Sequence, residues 1–237
     1  MRKQFEIGKY YHICNRGVDK RKIFMDEKDF VRFLRSMREF NNINPIESLR
    51  RLKQIRKAET EVELLSVSTD RSSTSVSAPA TQPLVKIICY CQNPNHYHIL
   101  VEQLVEKGIQ KFMHKLSTGY TKYFNQKYNR SGSLFQGRYN ATPIKTTGFL
   151  QKVSCYINGN PEIHKIVANA EDWIYSSYQD YLGLRDGKLC NKEAILKDFQ
   201  NIEEYKKLAC VIIKESIEKK LALKLDSGDE EKKWMLE

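Results

Sequence analysis

The 237-residue chain predicts an α+β fold: a four-stranded antiparallel sheet with helices on one face, plus a helical C-terminal extension. Three observations predict it. Short runs rich in Val, Ile, Leu and aromatics, of strand length, alternate with segments whose apolar residues recur every three or four positions. Their order is β-α-β-β-α-β, followed by a further helix. The middle two strands are separated only by Asn93-Pro94-Asn95, a turn that closes a hairpin. That order is the ferredoxin-like arrangement, in which the crossover helices share one side of the sheet.

The elements follow in sequence. Tyr10–Asn15 reads as a strand ended at Arg16-Gly17. From about Asp26 to Phe40 a helix is expected, because Phe30, Phe33, Leu34 and Met37 fall at i, i+3, i+4 and i+7. Asp26 is its cap, with Asp29 three residues on. The pattern changes at Asn44: residues 46–58 are basic and read as helical, and 66–83 are mostly Ser and Thr with Ala and Pro. Such a stretch buries too little apolar surface to offset ordering entropy, so 44–83 reads as a flexible insertion.

Order resumes with a strand over 84–91 and then the strand after the hairpin turn. A long helix over about 108–128 should bury Phe112, Leu116, Tyr120 and Tyr123. Ser131-Gly132 breaks the chain before a fourth strand near 137–144, and a helix over about 147–158 follows. Trp173–Tyr178 reads as a docked tail, a helix should begin near Lys192, and the end from Asp226 should fray. The implied division is a core of residues 1–183, containing the insertion, and a helical extension over 184–237.

A hydrophobic share of 41% is enough for a packed core, and the net charge of +11 favours an anionic partner. From Lys107 to Pro161 there is no Asp or Glu, while nine basic residues occur: Lys107, Lys111, Lys115, Lys122, Lys127, Arg130, Arg138, Lys145 and Lys152. A solvated face ordinarily mixes both signs, so this span is the expected nucleic-acid surface. Lys111, Lys115 and Lys122 should form a ridge on one helix face, joined by Arg130, Arg138 and Lys145. Aromatics interleave with them, although core packing is the plainer account of most. The six cysteines contain no C-x-x-C pair, no apolar run is long enough to span a bilayer and no signal segment is legible. A reducing, cytoplasmic setting without membrane attachment is the expectation.

The chemistry concentrates in His96-Tyr97-His98. On a strand these two imidazoles point to one side, their Cβ atoms roughly 7 Å apart, within reach of one ion. Alone, the pair is not specific, and packing or chance is its plainer account. Tyr156 and Asn160 are spaced i, i+4 and share a helix face if the helix persists through Gly159. Pro161 marks the helix end, which would present Asn160 at a terminus, either as an oxygen ligand or as a cap. Two imidazoles with an amide oxygen and water suit Mg2+ or Mn2+.

Pro94-Asn95-His96-Tyr97-His98, then Ser133-Leu134-Phe135-Gln136-Gly137-Arg138-Tyr139, then Tyr156-Ile157-Asn158-Gly159-Asn160-Pro161 together resemble the single-tyrosine HUH transposases of insertion sequences. The resemblance is nearest to their REP-associated branch, whose Trp-Ser-Ser-Tyr tail is similar to Trp173–Tyr178. It implies that His96, His98 and Asn160 bind a divalent metal, Mg2+ or Mn2+, and that Tyr156 is the nucleophile. The implied reaction is metal-dependent cleavage and transfer of single-stranded DNA near hairpins through a 5′-phosphotyrosine, with monomer and homodimer both open. The alternatives are a DNA-hairpin-binding regulator that mobilises nothing, and an RNA-binding module on the same type of sheet. A replication-initiator or relaxase nuclease would share the histidine pair but ordinarily brings larger partner domains.

Overall fold

The computed structural model describes residues 4–44 and 82–226, excepting the side chains of 223–226. The expected insertion and its basic helical stretch fall almost wholly outside the described residues, as does the fraying end beyond Asp226.

Strands β1 (Tyr10–Arg16), β2 (Val85–Asn93), β3 (His96–Gln103) and β4 (Asn140–Ile144) form one sheet in the order β2-β3-β1-β4. The pairings of β1 with β3, β1 with β4 and β2 with β3 are all antiparallel. Non-consecutive neighbours follow from two helical crossovers, α1 (Glu27–Glu39) and α2 (Gly108–Lys127). This is the expected ferredoxin-like topology. Asp26 caps α1 as expected, accepting from the Asp29 amide at 3.1 Å.

Alternation along each strand divides the molecule into two cores. On one face Tyr11, Ile13, Tyr97, Ile99 and Val101 pack under Phe30, Phe33 and Met37 of α1 and Phe112, Leu116 and Tyr120 of α2. Tyr123, expected to be buried, stays partly exposed at the edge of this core. On the opposite face Cys89, Cys91 and Leu100 pack against α3 (Thr147–Ile163) and the long C-terminal helix α4 (Ile202–Asp226). The two crossover helices therefore share one face, and the helix after β4 covers the other.

Several boundaries moved for physical reasons. α3 extends to Ile163 rather than ending at Asn158, with Pro161 inside its last turn. That turn is closed without the missing proline amide, by His164 N–H donating to Asn160 O at 3.0 Å and Ile166 N–H to Pro161 O at 2.8 Å. The helix expected near Lys192 is split into a short turn, Glu193–Leu196, and α4. Trp173–Tyr178 docks on the free edge of β2: Gln92 N–H donates to Tyr175 O, Ser177 N–H to Tyr90 O, and Trp173 Nε1–H to Gln92 O at 2.8 Å. The edge strand's backbone groups are satisfied by this tail.

Candidate active site

The histidine strand is placed by its hairpin and by β1. Asn93 pairs with His96 across the two-residue turn, and Cys91 pairs with His98. On the other side Cys14 pairs with His98 and Arg16 with His96. Cross-strand partners share a face, so His12, Cys14, Cys91, Asn93, His96 and His98 all lie on the side covered by α3. His96 and His98 are 8% and 4% exposed, their rings 5.2 Å apart.

α3 completes the constellation. Because the helix persists through Gly159, Tyr156 and Asn160 do fall on one face, toward the sheet. The Tyr156 ring stands edge-on to His98 at 5.8 Å and to His12 at 6.4 Å. Asn160 is fully buried inside the helix rather than presented at its end. Its Oδ1 lies 3.1 Å from His96 Nε2 and accepts a hydrogen bond from Asn93 Nδ2. Asn93 Nδ2 is also 2.9 Å from His96 Nε2.

Each histidine of the pair is held through its other ring nitrogen. Asn95 Oδ1 lies 2.7 Å from His96 Nδ1, which makes Nδ1 the donor and leaves the lone pair on Nε2. His12 Nε2 lies 2.8 Å from His98 Nδ1. Burial lowers the His12 pKa to about 4, so near pH 7 it is neutral and can accept from His98. Burial, then the neighbouring imidazoles, holds His98 well below the ordinary histidine range. Burial pushes Tyr156 above the ordinary phenol value, a polar contact with Asn160 pulling the other way.

These groups fit a small divalent cation. Ligands about 2.1 Å from an ion on adjacent positions stand about 3 Å apart, the spacing of His96 Nε2 and Asn160 Oδ1. Asn160 turns its Oδ1, not its Nδ2, toward His96 Nε2, which presents the amide oxygen at the place an ion would take. His12, Cys14 and His98 form a second grouping able to hold an ion, with ligand atoms within 4.8 Å of one another. It shares His98, but the 2.8 Å contact joins His12 to His98 as hydrogen-bond partners, and burial pushes the Cys14 thiol up to about 12.

Residues 56–160 match the family model described as "Transposase IS200 like". That segment is similar to the IS200-like transposases. The IS200-like span takes in both histidines and Tyr156 and ends on Asn160. Among solved structures, one described as "Structure of the REP associates tyrosine transposase bound to a REP hairpin" matches at 15% identity and a TM-score of 0.45, covering 77% of this chain and 84% of that one. No curated protein matches the chain.

The basic residues of the IS200-like span are not gathered at the site. Lys111, Lys115 and Lys122 sit on α2, which packs on the opposite face of the sheet. Lys115 is tied down, donating to Asn42 O at 2.6 Å and Asn44 O at 3.1 Å. Arg130 lies over Phe124 and donates to Asn125 Oδ1 at 3.4 Å. Arg138 and Lys145 are exposed at either end of β4, Arg138 over the Tyr139 ring. Sequence reasoning missed His12, Asn93, Asn95 and His164. His164 caps α3 with its ring 4.7 Å from His96 and its Nδ1 3.0 Å from Lys220 Nζ. The alternation of β1 puts His12 and Cys14 on one face. Which face that is follows only from strand register.

Proposed function

We propose that this protein cleaves and rejoins single-stranded DNA near hairpins, with Tyr156 as nucleophile and His96, His98 and Asn160 holding Mg2+ or Mn2+. The observation that carries the reading is the convergence, from two separate elements, of the Tyr156 ring on His98 and of Asn160 Oδ1 on His96.

When bound, the cation supplies Lewis acidity toward a phosphate oxygen and withdraws charge from it. The chain's own residues do the rest. Asn95 and His12 fix the ring orientations of His96 and His98, so the site needs little rearrangement as charge develops. Arg16 pairs with His96 across β1 and β3 and donates through Nε to Gln136 Oε1; the phosphate contact is assigned to its guanidinium. The Tyr156 Oη attacks phosphorus: the Oη–P bond forms, the P–O3′ bond breaks, and the departing 3′ oxygen ends as a hydroxyl with the proton the phenol gives up. One phosphodiester replaces another, so a later 3′-hydroxyl can reverse the step without ATP. Tyr156, its phenol pKa raised by burial, is protonated near pH 7, so its proton must leave as Oη attacks.

The test is incubation of the full chain with a labelled hairpin oligonucleotide carrying a single-stranded flank, with Mn2+, followed by denaturing electrophoresis. A covalent protein–DNA band is expected for the wild type. Tyr156→Phe should lose that band completely while retaining DNA binding within a fewfold in a mobility-shift assay. Equal loss of binding, or a band that persists in excess chelator, would overturn the assignment.

A further inference from the structure

Resting on the metal-site reading above, we propose that Asn93 is a fourth protein ligand of the cation, bound through Oδ1 after its side-chain amide turns over. Asn93 is fully buried at the end of β2, opposite His96 across the hairpin. Its Nδ2 stands 2.9 Å from His96 Nε2 and donates to Asn160 Oδ1. Those two lone pairs are the ones a shared ion would take. With His96 Nδ1 committed to Asn95 Oδ1, Nε2 can only accept, so an amide N–H fills the place without the ion.

A cation cannot share that place with an N–H donor. The same side chain carries an oxygen in the amide plane on the other side of the Cβ–Cγ axis, and a half-turn about that bond exchanges the two. The exchange gives up little: Asn93 Oδ1 accepts only a weak thiol hydrogen bond from Cys91 Sγ at 3.4 Å, and sulfur also accepts from N–H. The turned amide adds a second neutral oxygen to two imidazoles and the Asn160 oxygen. That set favours a hard six-coordinate ion such as Mn2+ and leaves positions for phosphate and water.

Mn2+ titration followed by loss of the free-ion paramagnetic resonance signal tests the proposal on the full chain. Wild type should bind one Mn2+ and His96→Ala should not; absence of binding by the wild type would sink the metal-site reading itself. Given wild-type binding, Asn93→Ala should bind at least tenfold more weakly. A loss within twofold overturns the proposal. Asn93→Cys, titrated with Co2+, separates a ligand from a merely positioning residue. A near-ultraviolet thiolate-to-cobalt band absent from wild type is expected, and Co2+ binding without that band overturns the proposal even if Asn93→Ala does not fold.

Discussion

His96 Nδ1 meets Asn95 Oδ1 at 2.7 Å and His98 Nδ1 meets His12 Nε2 at 2.8 Å, and His96 thereby directs Nε2 to Asn160 of α3. Contacts of this type fix a tautomer and are worth about 10–100-fold in metal affinity. His12→Ala should therefore weaken Mn2+ binding by about that factor with the far-ultraviolet circular dichroism unchanged; unaltered affinity would reduce the contact to packing. A different residue-scale expectation concerns thiols. Cys89 and Cys91 are fully buried, and burial pushes Cys155 up to about 12 and the other two well above the ordinary thiol value, whereas Cys210 is exposed. The thiolate is the nucleophile, so iodoacetamide should label Cys210 quickly in the folded protein. Mass spectrometry should find Cys89, Cys91 and Cys155 modified only after denaturation.

At the scale of elements, α3 depends on a glycine. A Cβ at Gly159 would stand 2.2 Å from Ile213 Cγ1 and 2.7 Å from Cδ1, so α3 and α4 approach here only because no side chain intervenes. Gly159→Ala should cost about 1–3 kcal/mol of stability, the range for overpacking a filled core. Adding Ile213→Ala should recover part of that loss in denaturant unfolding, since the clash is with this one side chain; no recovery would mean the helix backbone itself is strained. The crossover helices are joined differently. Lys127 of α2 donates to Asp26 and to Asp29 Oδ1 at 2.6 Å, and Asp29 is wholly buried at the start of α1. Lys127→Ala leaves that carboxylate with only its Met25 N–H, Tyr123 and Tyr128 hydrogen bonds. A loss on the order of 3 kcal/mol is expected from removing one partner of such a pair, read as a lower Tm.

Over the whole molecule, the sheet is covered on both sides by unlike layers. α1 and α2 seal one face without touching the site, and α3 brings Tyr156 and Asn160 to the other, with α4 behind it. Tyr205, Ala209 and Ile213 of α4 are buried in that second core, and Tyr205 OH accepts from Asn158 Nδ2 at 2.9 Å. A chain ended at Asn201 would expose the back of the helix that carries Tyr156. It should bind a hydrophobic dye and aggregate on heating, whereas a well-behaved truncated monomer would show that α4 is dispensable. No helix among the described residues is long and apolar enough to cross a membrane.

Periodicity is local, and what depended on it was legible. The i, i+2 spacing put His96 and His98 on one side of a strand, the i, i+4 spacing put Tyr156 and Asn160 on one side of a helix, and the alternation of segments gave the sheet its connectivity. The end of α3 was misplaced because a proline in a last turn can be accommodated by hydrogen bonds made beyond it, from His164 and Ile166. Asn93 and Asn95 read only as turn residues, and His12 only as part of a strand. The role of His12 arises from strand register across 86 positions, and those of Asn93 and Asn95 from where the hairpin turn aims their side chains at His96. Composition and spacing by themselves determined the sheet and its two crossovers and put His96 with His98, and Tyr156 with Asn160, on common faces. Tertiary packing alone decided which face α3 covers, which nitrogens of the histidines remain available and which further amide stands between them, because strand register and helix placement are set by contacts that no short window of sequence contains.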